Sequence, residues 1–391
     1  MVTDHASGLL GPITEEQSLM LESLRKVMQK IVTEPYLRKI DQDALYPYEV
    51  YDAWVDLGLF RVGFDEALGG IGGNLKDLLL ISQELAWWSY DIYCAYSVPL
   101  YTALTLNKIG TEAQRRKYLS ALMAGEIRLS TSISEPSAGS DVSAIRTTAR
   151  RVDGGWVLNG QKLWNTAAGS RNNVLQVLAL TDTNVPPKSG MSFFLVPNTT
   201  PGVECRKLDM LGRRASGTYE VFFTDAYVAD EQLVGGLNTG WRGMLSCLLT
   251  ERVLTSAGYV GSAQKVVDLS LAYSKERVQF GKPIGNNQVI AHMLVDMQTE
   301  VDAARLLVER AAAQLIQGKE ATREVSMAKL FGSETYAKVS NQAMQIFGAY
   351  GYSMEYEVQR HFRDARSTTV GAGSSQMQRN TIAATMGLKP G

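Results

Sequence analysis

The chain has 391 residues, which exceeds one ordinary hydrophobic core, and its 45% hydrophobic and 20% charged residues are typical of a folded protein. Its 39 basic and 40 acidic residues give no basic excess of the kind that nucleic acid or an anionic membrane attracts. Three scattered cysteines and three histidines make a disulfide framework, a zinc site or a histidine-based triad improbable, so a small or locally docked ligand is favoured.

The N-terminal third of the sequence contains signals that mark the starts and ends of helices. A capping-box pattern at Thr14-Glu15-Glu16-Gln17 precedes the periodic apolar run that starts at Leu19. Further helices are predicted at Pro47 to Leu57, Leu75 to Trp88, Val98 to Ile109 and Glu112 to Ala124. These elements predict an N-terminal helical domain over residues 1–126.

The pattern changes after Gly125, where turn pairs such as Asn159-Gly160 separate short apolar runs. These runs predict hairpin strands at Trp156 to Leu158, Val174 to Leu180, Met191 to Val196 and Glu220 to Phe223. We therefore expect an antiparallel, β-barrel-like middle domain over residues 127–236.

Helical periodicity returns from Trp241 onward. An apolar stripe with alternating steps of four and three runs along Ile290, Leu294, Met297, Val301, Ala304, Val308, Ala311 and Leu315. The stripe predicts one member of a four-helix bundle over residues 237–391, with bundles that can also meet between subunits. The expected fold class is α+β, and the strand, glycine loop and helix unit of dinucleotide folds is missing from the sequence.

Nothing in the sequence directs the chain to a membrane. The polar stretch from Met1 to Pro12 lacks the apolar core of a signal peptide, and no segment approaches the about 18 apolar residues of a membrane span. Together with the unpaired cysteines, this predicts a cytoplasmic location.

Four ordered segments resemble the acyl-CoA dehydrogenase family. They are Ile133-Ser-Glu-Pro-Ser-Ala-Gly-Ser-Asp141, Lys162-Leu-Trp-Asn-Thr166, Arg277-Val-Gln-Phe-Gly-Lys282, and Gln345 to Tyr352 leading into Arg363-Asp-Ala-Arg366. The resemblance implies the three-domain fold of that family and FAD as cofactor. It also implies α,β-dehydrogenation of an acyl-CoA thioester in fatty acid or amino acid catabolism, an electron-transfer flavoprotein as acceptor, and a homotetramer.

The resemblance also implies which residues hold FAD. Small residues after Ile133 let a flat ligand approach the backbone closely. Trp164 is expected to stack on the flavin, with the Thr166 hydroxyl at its N5 edge. Arg277 and Phe280 suit pyrophosphate and adenine, and the family places this arginine in a neighbouring subunit's cofactor site. The full set of predicted cofactor residues is Thr131, Ile133, Ser134, Gly139, Ser140, Trp164, Thr166, Arg277, Phe280, Asn287, Gln288, Gln345, Ile346, Gly348, Ser374 and Gln376.

The catalytic base is not at its commonest family position, because Ala372 stands there within Val370-Gly-Ala-Gly-Ser374. A branch that resembles isovaleryl-CoA dehydrogenase carries its base in a Glu-Arg pair on a distant helix, which corresponds to Glu251-Arg252 here. Helical spacing places Glu251 on an apolar face, and burial of an unpaired carboxylate is costly enough to need a reason. The alternative is that Glu251 only pairs with an arginine across the bundle.

The substrate pocket is expected to include the aromatic stretch from Trp87 to Ser97, which favours a short, branched or ring-bearing acyl group. Asp91 in this stretch is either a second, remote base or a solvated loop acid. The predicted substrate-binding residues are Ser140, Leu248, Arg252, Ala372, Gly373, Asp91 and Tyr93.

Several functional alternatives remain open on the sequence. The thioester can belong to a carrier protein instead of CoA, or to a cyclic acyl-CoA with Asp91 as base. A flavin monooxygenase and a flavin-free scaffold are rivals on the same fold. The acyl chain, the pathway, the electron acceptor and the choice between dimer and tetramer are not determined.

Overall fold

The N-terminal layer starts with the expected capping box. In the computed structural model, which describes residues 9–389, the Thr14 hydroxyl accepts from the Gln17 amide and the Gln17 side chain accepts from the Thr14 amide. The predicted first helix is thereby confirmed. Most of the N-terminal stretch that we examined for a signal peptide lies outside the described residues. The helices of this layer are α1 (Glu15–Ile31), α2 (Glu34–Gln42), α3 (Tyr48–Asp56), α4 (Leu75–Trp88), α5 (Tyr90–Ile109), α6 (Glu112–Gln114) and α7 (Ser120–Met123), with a π-helical turn at Arg115–Leu119 between the last two.

The prediction for α5 was wrong at its start, because the helix begins at Tyr90 instead of Val98 and contains Pro99 in its interior. A proline has no N–H, so the carbonyl four residues earlier loses its helical partner. That carbonyl belongs to Ala95, and the Tyr46 hydroxyl lies 3.5 Å from it as a donor. A contact from a distant segment thus compensates for the proline.

The middle region is one eight-stranded sheet. Its strands are β1 (Arg128–Ser132), β2 (Thr148–Val152), β3 (Gly155–Thr166), β4 (Asn173–Leu180), β5 (Met191–Pro197), β6 (Val203–Leu208), β7 (Thr218–Ala229) and β8 (Leu233–Val234). The order is β6-β7-β3-β2-β4-β5-β8, with β1 paired to β4. Most pairs are antiparallel as expected, but β4 pairs in parallel with β1, with Ser132 opposite Val177, and with β2, with Thr148 opposite Leu180. The β1–β4 pair is parallel because β1 enters directly from the helical layer, without a hairpin.

The C-terminal region consists of α8 (Gly240–Glu276), α9 (Gln288–Ile316), α10 (Thr322–Phe347), α11 (Val358–Thr368) and α12 (Ser375–Thr385), with a hairpin of β9 (Val278–Gln279) and β10 (Lys282–Pro283) before α9. The predicted stripe of α9 is buried from Leu294 to Ala311, as a bundle helix requires. Helix α8 packs against α4, α5, α9 and α10. Helix α8 therefore connects the N-terminal and C-terminal helical regions, and it carries several of the predicted site residues.

The element types change between Met123 and Arg128 and again between Val234 and Gly240. These changes support the proposed domain division at residues 126 and 236. Within residues 9–389, no helix is long and apolar enough to cross a membrane. The same part of the chain contains no cluster of three or more histidine, cysteine or acidic side chains arranged to bind a metal ion.

Candidate active site

Glu251 lies on α8 on a largely apolar face. The side chain retains partial exposure although it is surrounded by protein, so it lines a recess. Burial raises the pKa of Glu251, and the neighbouring Arg252 offsets this only in part. Among the ion pairs of residues 9–389, none involves the Glu251 carboxylate. Pairing with an arginine across the bundle, the structural alternative considered above, therefore has no support.

The segment around Ala372 forms a constrained loop next to Arg252. Ala372 has a left-handed φ of 53°, which is uncommon for a residue with a side chain, and Gly373 has a φ of 84°. The Arg252 Nε donates to the Ala372 carbonyl at 3.3 Å, and Gln378 Nε2 donates to the Gly373 carbonyl at 3.0 Å. Strain of this kind persists only where the surroundings enforce it. The loop is therefore held in one conformation by side chains from α8 and α12.

A buried lysine completes the support of this loop. The Lys329 ammonium donates to the carbonyls of Gly373 and Thr368, at 2.7 and 3.0 Å. Burial lowers the pKa of Lys329 to about 8, with the Arg252 charge adding to the effect. In the described part of the chain, the backbone N–H of Ala372 donates to no protein acceptor. The loop thus presents a fixed, free donor beside the helix that carries Glu251.

One wall of the recess is a chain of hydroxyl groups on α5 and α8. Tyr93 donates to the Leu254 carbonyl at 3.0 Å and lies 2.6 Å from the Tyr101 hydroxyl, which accepts from Thr255 at 3.0 Å. Because the Tyr93 proton is used on the carbonyl, Tyr101 donates to Tyr93. Glu251 is one of the charges that perturb the pKa of Tyr101, which burial raises well above its ordinary value.

The close packing of α5 against α8 fixes this wall. A Cβ added at Gly258 would lie 2.4 Å from the Tyr93 ring, so only glycine allows the two helices to approach here. Tyr93 is only 1% exposed, so it supports this wall from behind, and its predicted contact with the acyl group stays a proposal.

Asp91 does not match either prediction made for it. Its side chain is on helix α5 and only 7% of the residue is exposed, so it is not a solvated loop acid. Its two carboxylate oxygens accept from the Ala215 amide, the Ser216 amide and the Ser216 hydroxyl, at 2.7, 2.9 and 2.6 Å. A carboxylate with three donors is committed to the 213–216 turn. Asp91 is therefore a structural residue of this turn and is not placed to act as a remote base or a substrate ligand.

A buried ion pair joins the two segments predicted to contact the flavin ring. The Lys162 Nζ donates to Glu135 Oε1 at 2.8 Å and to the Ile133 carbonyl at 2.9 Å, and both side chains are almost fully buried. Burial lowers the pKa of Lys162 to about 8, although Glu135 counteracts it. The Leu163 amide also donates to the Ser134 carbonyl at 2.8 Å. These bonds therefore hold strand β3 and the loop after β1 in a fixed position relative to each other.

Trp164 and Thr166 lie near the end of β3, where the pairing with β7 shifts register between Lys162 and Asn165. Trp164 has a left-handed φ of 65° and is 56% exposed, whereas Asn165 is buried with its amide donating to the Tyr219 carbonyl at 3.3 Å. Regular strand alternation would place Trp164 and Thr166 on one face, but the left-handed backbone at Trp164 sets the direction of the indole. The Thr166 hydroxyl accepts from Arg213 Nη2 at 2.8 Å.

Most of the remaining predicted cofactor residues belong to a second group around the C-terminal end of α8. The Arg277 guanidinium lies 5.1 Å from the centre of the Tyr350 ring, next to Gly348, and Phe280 is 96% exposed with a left-handed φ of 51°. In this group Gln288 and Gln345 are exposed, Asn287 is partly buried and Ile346 is buried. Ser374, which caps α12, and the exposed Gln376 instead follow the Ala372 loop, and the partly buried Leu248 lies one helical turn before Glu251. A helix rises about 1.5 Å per residue, so Arg277 lies roughly 40 Å along α8 from Glu251. The two groups are therefore not one contiguous site within a single chain.

The residues present fit a flavin dinucleotide. The broad exposed face of Trp164 is available for stacking, and the Arg213 Nε beside Thr166 is buried without a partner among residues 9–389. Thr131, at the end of β1, bonds to Thr102 at 2.9 Å, and a Cβ added at Gly139, next to Ser140, would meet nothing within 4 Å. These features offer an apolar face, polar donors and room for close backbone approach.

Several residues that shape the site were missed in the sequence. Tyr101 lies eight positions after Tyr93, which is about the same helical face, so the spacing contained a usable signal. Lys162 lies two positions before Trp164, and strand alternation gives no sign of its burial because Trp164 is exposed. Nothing local in the sequence points to Arg213 or Lys329, because their partners come from distant segments.

Comparison with known proteins agrees with this geometry. Models of the N-terminal, middle and C-terminal domains of acyl-CoA dehydrogenases match residues 14–126, 130–226 and 238–387. The chain is 36% identical over 374 residues to a probable acyl-CoA dehydrogenase of Bacillus subtilis strain 168, covering 95% of this chain and 98% of the relative.

Solved structures give the same result. The fold matches butyryl-CoA dehydrogenase from Megasphaera elsdenii with a TM-score of 0.90 and 32% identity, over 95% of this chain and 98% of that one. It also matches a prolyl acyl carrier protein oxidase with a TM-score of 0.90 and 26% identity, over 96% of this chain and 100% of that one. The chain therefore belongs to the acyl-CoA dehydrogenase family of FAD-dependent oxidoreductases that act on CH–CH bonds.

Proposed function

We propose that this enzyme removes the α proton of a saturated acyl-CoA thioester with Glu251 and forms the 2-enoyl-CoA. The observation that carries the proposal is a carboxylate in a recess on α8, with a raised pKa and no ion pair among the described residues. A base with a pKa closer to neutral is a better proton acceptor under physiological conditions. Arg252 is the adjacent charge and remains engaged with the Ala372 carbonyl instead of neutralising Glu251.

FAD, when bound, accepts the hydride from the β carbon. The protein would hold the flavin against Trp164, with the Thr166 hydroxyl at its N5 edge, and the acyl group between the flavin and Glu251. It would also stabilise the charge that develops on the thioester oxygen. The backbone N–H of Ala372 is the proposed donor, since it has no acceptor within the described residues. The loss of one such donor typically costs about 3 kcal/mol of transition-state stabilisation. Arg252, Lys329 and Gln378 hold the loop so that this donor needs no reorganisation.

The acyl group is proposed to be short, branched or ring-bearing. Its pocket would include the partly exposed Tyr101 and Leu248, with the buried Tyr93 and Thr255 bonded to the Tyr101 hydroxyl from behind. The rings of Tyr93 and its neighbours on α5 are fixed by packing, which leaves little freedom to admit a long flexible chain. The proposal also assigns this chain to the branch of the family whose catalytic base lies in a Glu-Arg pair.

The second group of cofactor residues supports a shared site. Because Arg277 lies roughly 40 Å along α8 from Glu251, an extended flavin dinucleotide cannot contact both within one chain. We propose that Arg277, Phe280, Gln345 and Gly348 contact the FAD of a neighbouring subunit in at least a dimer, with a tetramer as the full assembly. Electrons would then pass to an electron-transfer flavoprotein.

The proposal is tested by anaerobic titration of the FAD-loaded enzyme with a panel of acyl-CoA esters, followed by flavin bleaching. We expect bleaching with at least one short, branched or cyclic acyl-CoA and at least a hundredfold slower bleaching in Glu251→Gln, with FAD still bound. Glu22→Gln changes an exposed glutamate on α1 and is the matched control. Near-normal bleaching by Glu251→Gln would refute the role of the base.

A second candidate is dehydrogenation of an acyl group on a carrier protein. The likeness to a prolyl acyl carrier protein oxidase favours it, since that protein matches over 96% of this chain. The same acyl group offered on CoA and on a carrier-bound pantetheine separates the two, because the preferred carrier gives the higher kcat/KM. Product that requires oxygen and an external reductant would instead indicate a monooxygenase.

A further inference from the structure

Arg213 is a charged residue that the proposed mechanism does not use. It follows Gly212 in the loop between β6 and β7, with a left-handed φ of 55°. Its guanidinium is surrounded by protein, and its Nη2 donates to the Thr166 hydroxyl at 2.8 Å. The Nε is buried with no protein partner among the described residues. A strained backbone and an incompletely paired charge are both costly, which indicates a functional reason to keep them.

Buried carboxylates accompany this guanidinium. Asp364 Oδ1 accepts from the Arg213 amide at 2.6 Å, and Asp91 holds the adjacent Ala215 and Ser216 amides. Burial alone would lower the pKa of Arg213, but the nearby acidic groups, Cys94 and Tyr90 followed by Asp91 and Asp364, raise it overall. The side chain therefore remains a cation, and its field extends toward Thr166.

We infer that Arg213 is a positioning residue that acts on the flavin through Thr166, lending positive charge to the hydroxyl at N5 and so favouring the reduced cofactor. This inference rests on the proposed placement of the flavin against Trp164 and Thr166, but not on Glu251 or on any substrate.

Hydrogen-bond geometry supports the inference. An arginine has donors only, so it occupies one lone pair of the Thr166 oxygen and leaves the hydroxyl hydrogen and one lone pair free. The hydroxyl can then donate to N5 of the oxidised ring or accept from N5–H of the reduced ring. The hydrogen bond between Thr166 and N5 would therefore form with either redox state of the flavin. The positive charge of Arg213, in contrast, favours the reduced flavin, which carries more electron density. In a site with little water, a full charge outweighs a neutral hydrogen bond.

The first test is the midpoint potential of the FAD-loaded enzyme, measured anaerobically against a reference dye without substrate. Arg213→Gln keeps a donor but removes the charge. We expect the ratio of affinities for reduced and oxidised FAD to fall at least tenfold, which is about 30 mV for a two-electron couple. An unchanged potential would overturn the inference.

The role of Thr166 is tested by repeating the substitution in a Thr166→Val background. The effect of Arg213→Gln should shrink there to less than threefold, and an equal shift in both backgrounds would show that Arg213 does not act through Thr166. If Thr166→Val alone changes neither the flavin spectrum nor the potential, the flavin placement in the proposed function is wrong and the inference fails with it. The FAD dissociation constant of each variant separates these effects from simple loss of cofactor.

A second variant keeps the test decisive if Arg213→Gln does not fold. Asp364→Asn preserves an oxygen for the Arg213 amide but removes a negative charge beside the guanidinium. The groups that face Asp364 are Asp91, Asp41, Arg363, Arg213, Cys94 and Tyr336, and burial followed by Asp91 raises the pKa of Asp364. The potential is therefore measured over a series of pH values. At its alkaline end, where Asp364 is ionised, the variant should raise the potential. A lower or unchanged value there would contradict the inference.

Discussion

The Lys329 ammonium lies 2.7 Å from the carbonyl oxygen of Gly373 and has no carboxylate partner among the described ion pairs. A charge that is fully buried on carbonyl oxygens alone is expensive, and the lowered pKa of Lys329 reflects that cost. The contact joins α10 to the loop that presents the free Ala372 amide. The substrate-facing loop is therefore supported from the centre of the helical bundle.

We predict that Lys329→Met weakens both the fold and the site. It leaves the buried Thr368 and Gly373 carbonyls with fewer donors, which typically costs about 1–3 kcal/mol of unfolding free energy. The loop should also lose its fixed geometry, so kcat/KM should fall with FAD still bound. Lys338→Met is the matched control, because Lys338 is an exposed lysine of the same helix paired with Glu300. Equal unfolding free energies for the two variants, measured in urea, would contradict the prediction.

The pH dependence of kcat/KM should report the Glu251 environment. A general base must be ionised, so the rate rises as pH increases through its pKa. Since burial raises the pKa of Glu251, the acid limb should lie at higher pH than for an ordinary glutamate.

Arg252→Gln provides a signed version of this test. The Arg252 charge lowers the pKa of Glu251, so its removal should move the acid limb to still higher pH. Loss of the bond to Ala372 reduces the rate at all pH values, which leaves the position of the limb interpretable. If the acid limb of the pH profile of kcat/KM moves to lower pH or stays in place, Glu251 is not the group that titrates.

The pair formed by Lys162 and Glu135 should be essential to the middle domain. Removal of one partner of a buried pair leaves an uncompensated charge, so Lys162→Met should cost about 3 kcal/mol of stability and weaken FAD retention. The double variant Lys162→Met with Glu135→Gln should lose less than the sum of the single effects. In contrast, Arg206→Met on exposed strand β6 should unfold like the parent in thermal scans.

Mixed assemblies test whether Arg277 serves a neighbouring subunit. If it does, a heterodimer of Glu251→Gln and Arg277→Ala chains contains one site with both residues intact. Random pairing of equal amounts then restores about a quarter of the parent activity in a dimer. If each FAD uses the Arg277 of its own chain, the mixture stays as inactive as the separate variants. Co-refolding followed by an activity assay distinguishes the two results.

Patterns confined to neighbouring residues predicted a large part of this protein. The capping box at Thr14, helix α4 and the apolar stripe of α9 followed from spacing that the chain carries locally. Spacing on α8 likewise indicated that Glu251 faces apolar neighbours, and its raised pKa agrees. The four ordered segments identified the family, which the comparisons confirmed.

Contacts between distant segments decided the rest. Asp91 is committed to amides 124 and 125 positions away, Lys329 to a carbonyl 44 positions away, and Arg213 to a hydroxyl 47 positions away. The continuation of α5 through Pro99 depended in the same way on Tyr46, which reaches the Ala95 carbonyl that Pro99 leaves free. Periodicity determines which face of an element is apolar, because that property is local. A buried charged side chain can act as a base, support a loop or lie next to the flavin. Which of these it does depends on the donors and acceptors that the folded chain places in contact with it.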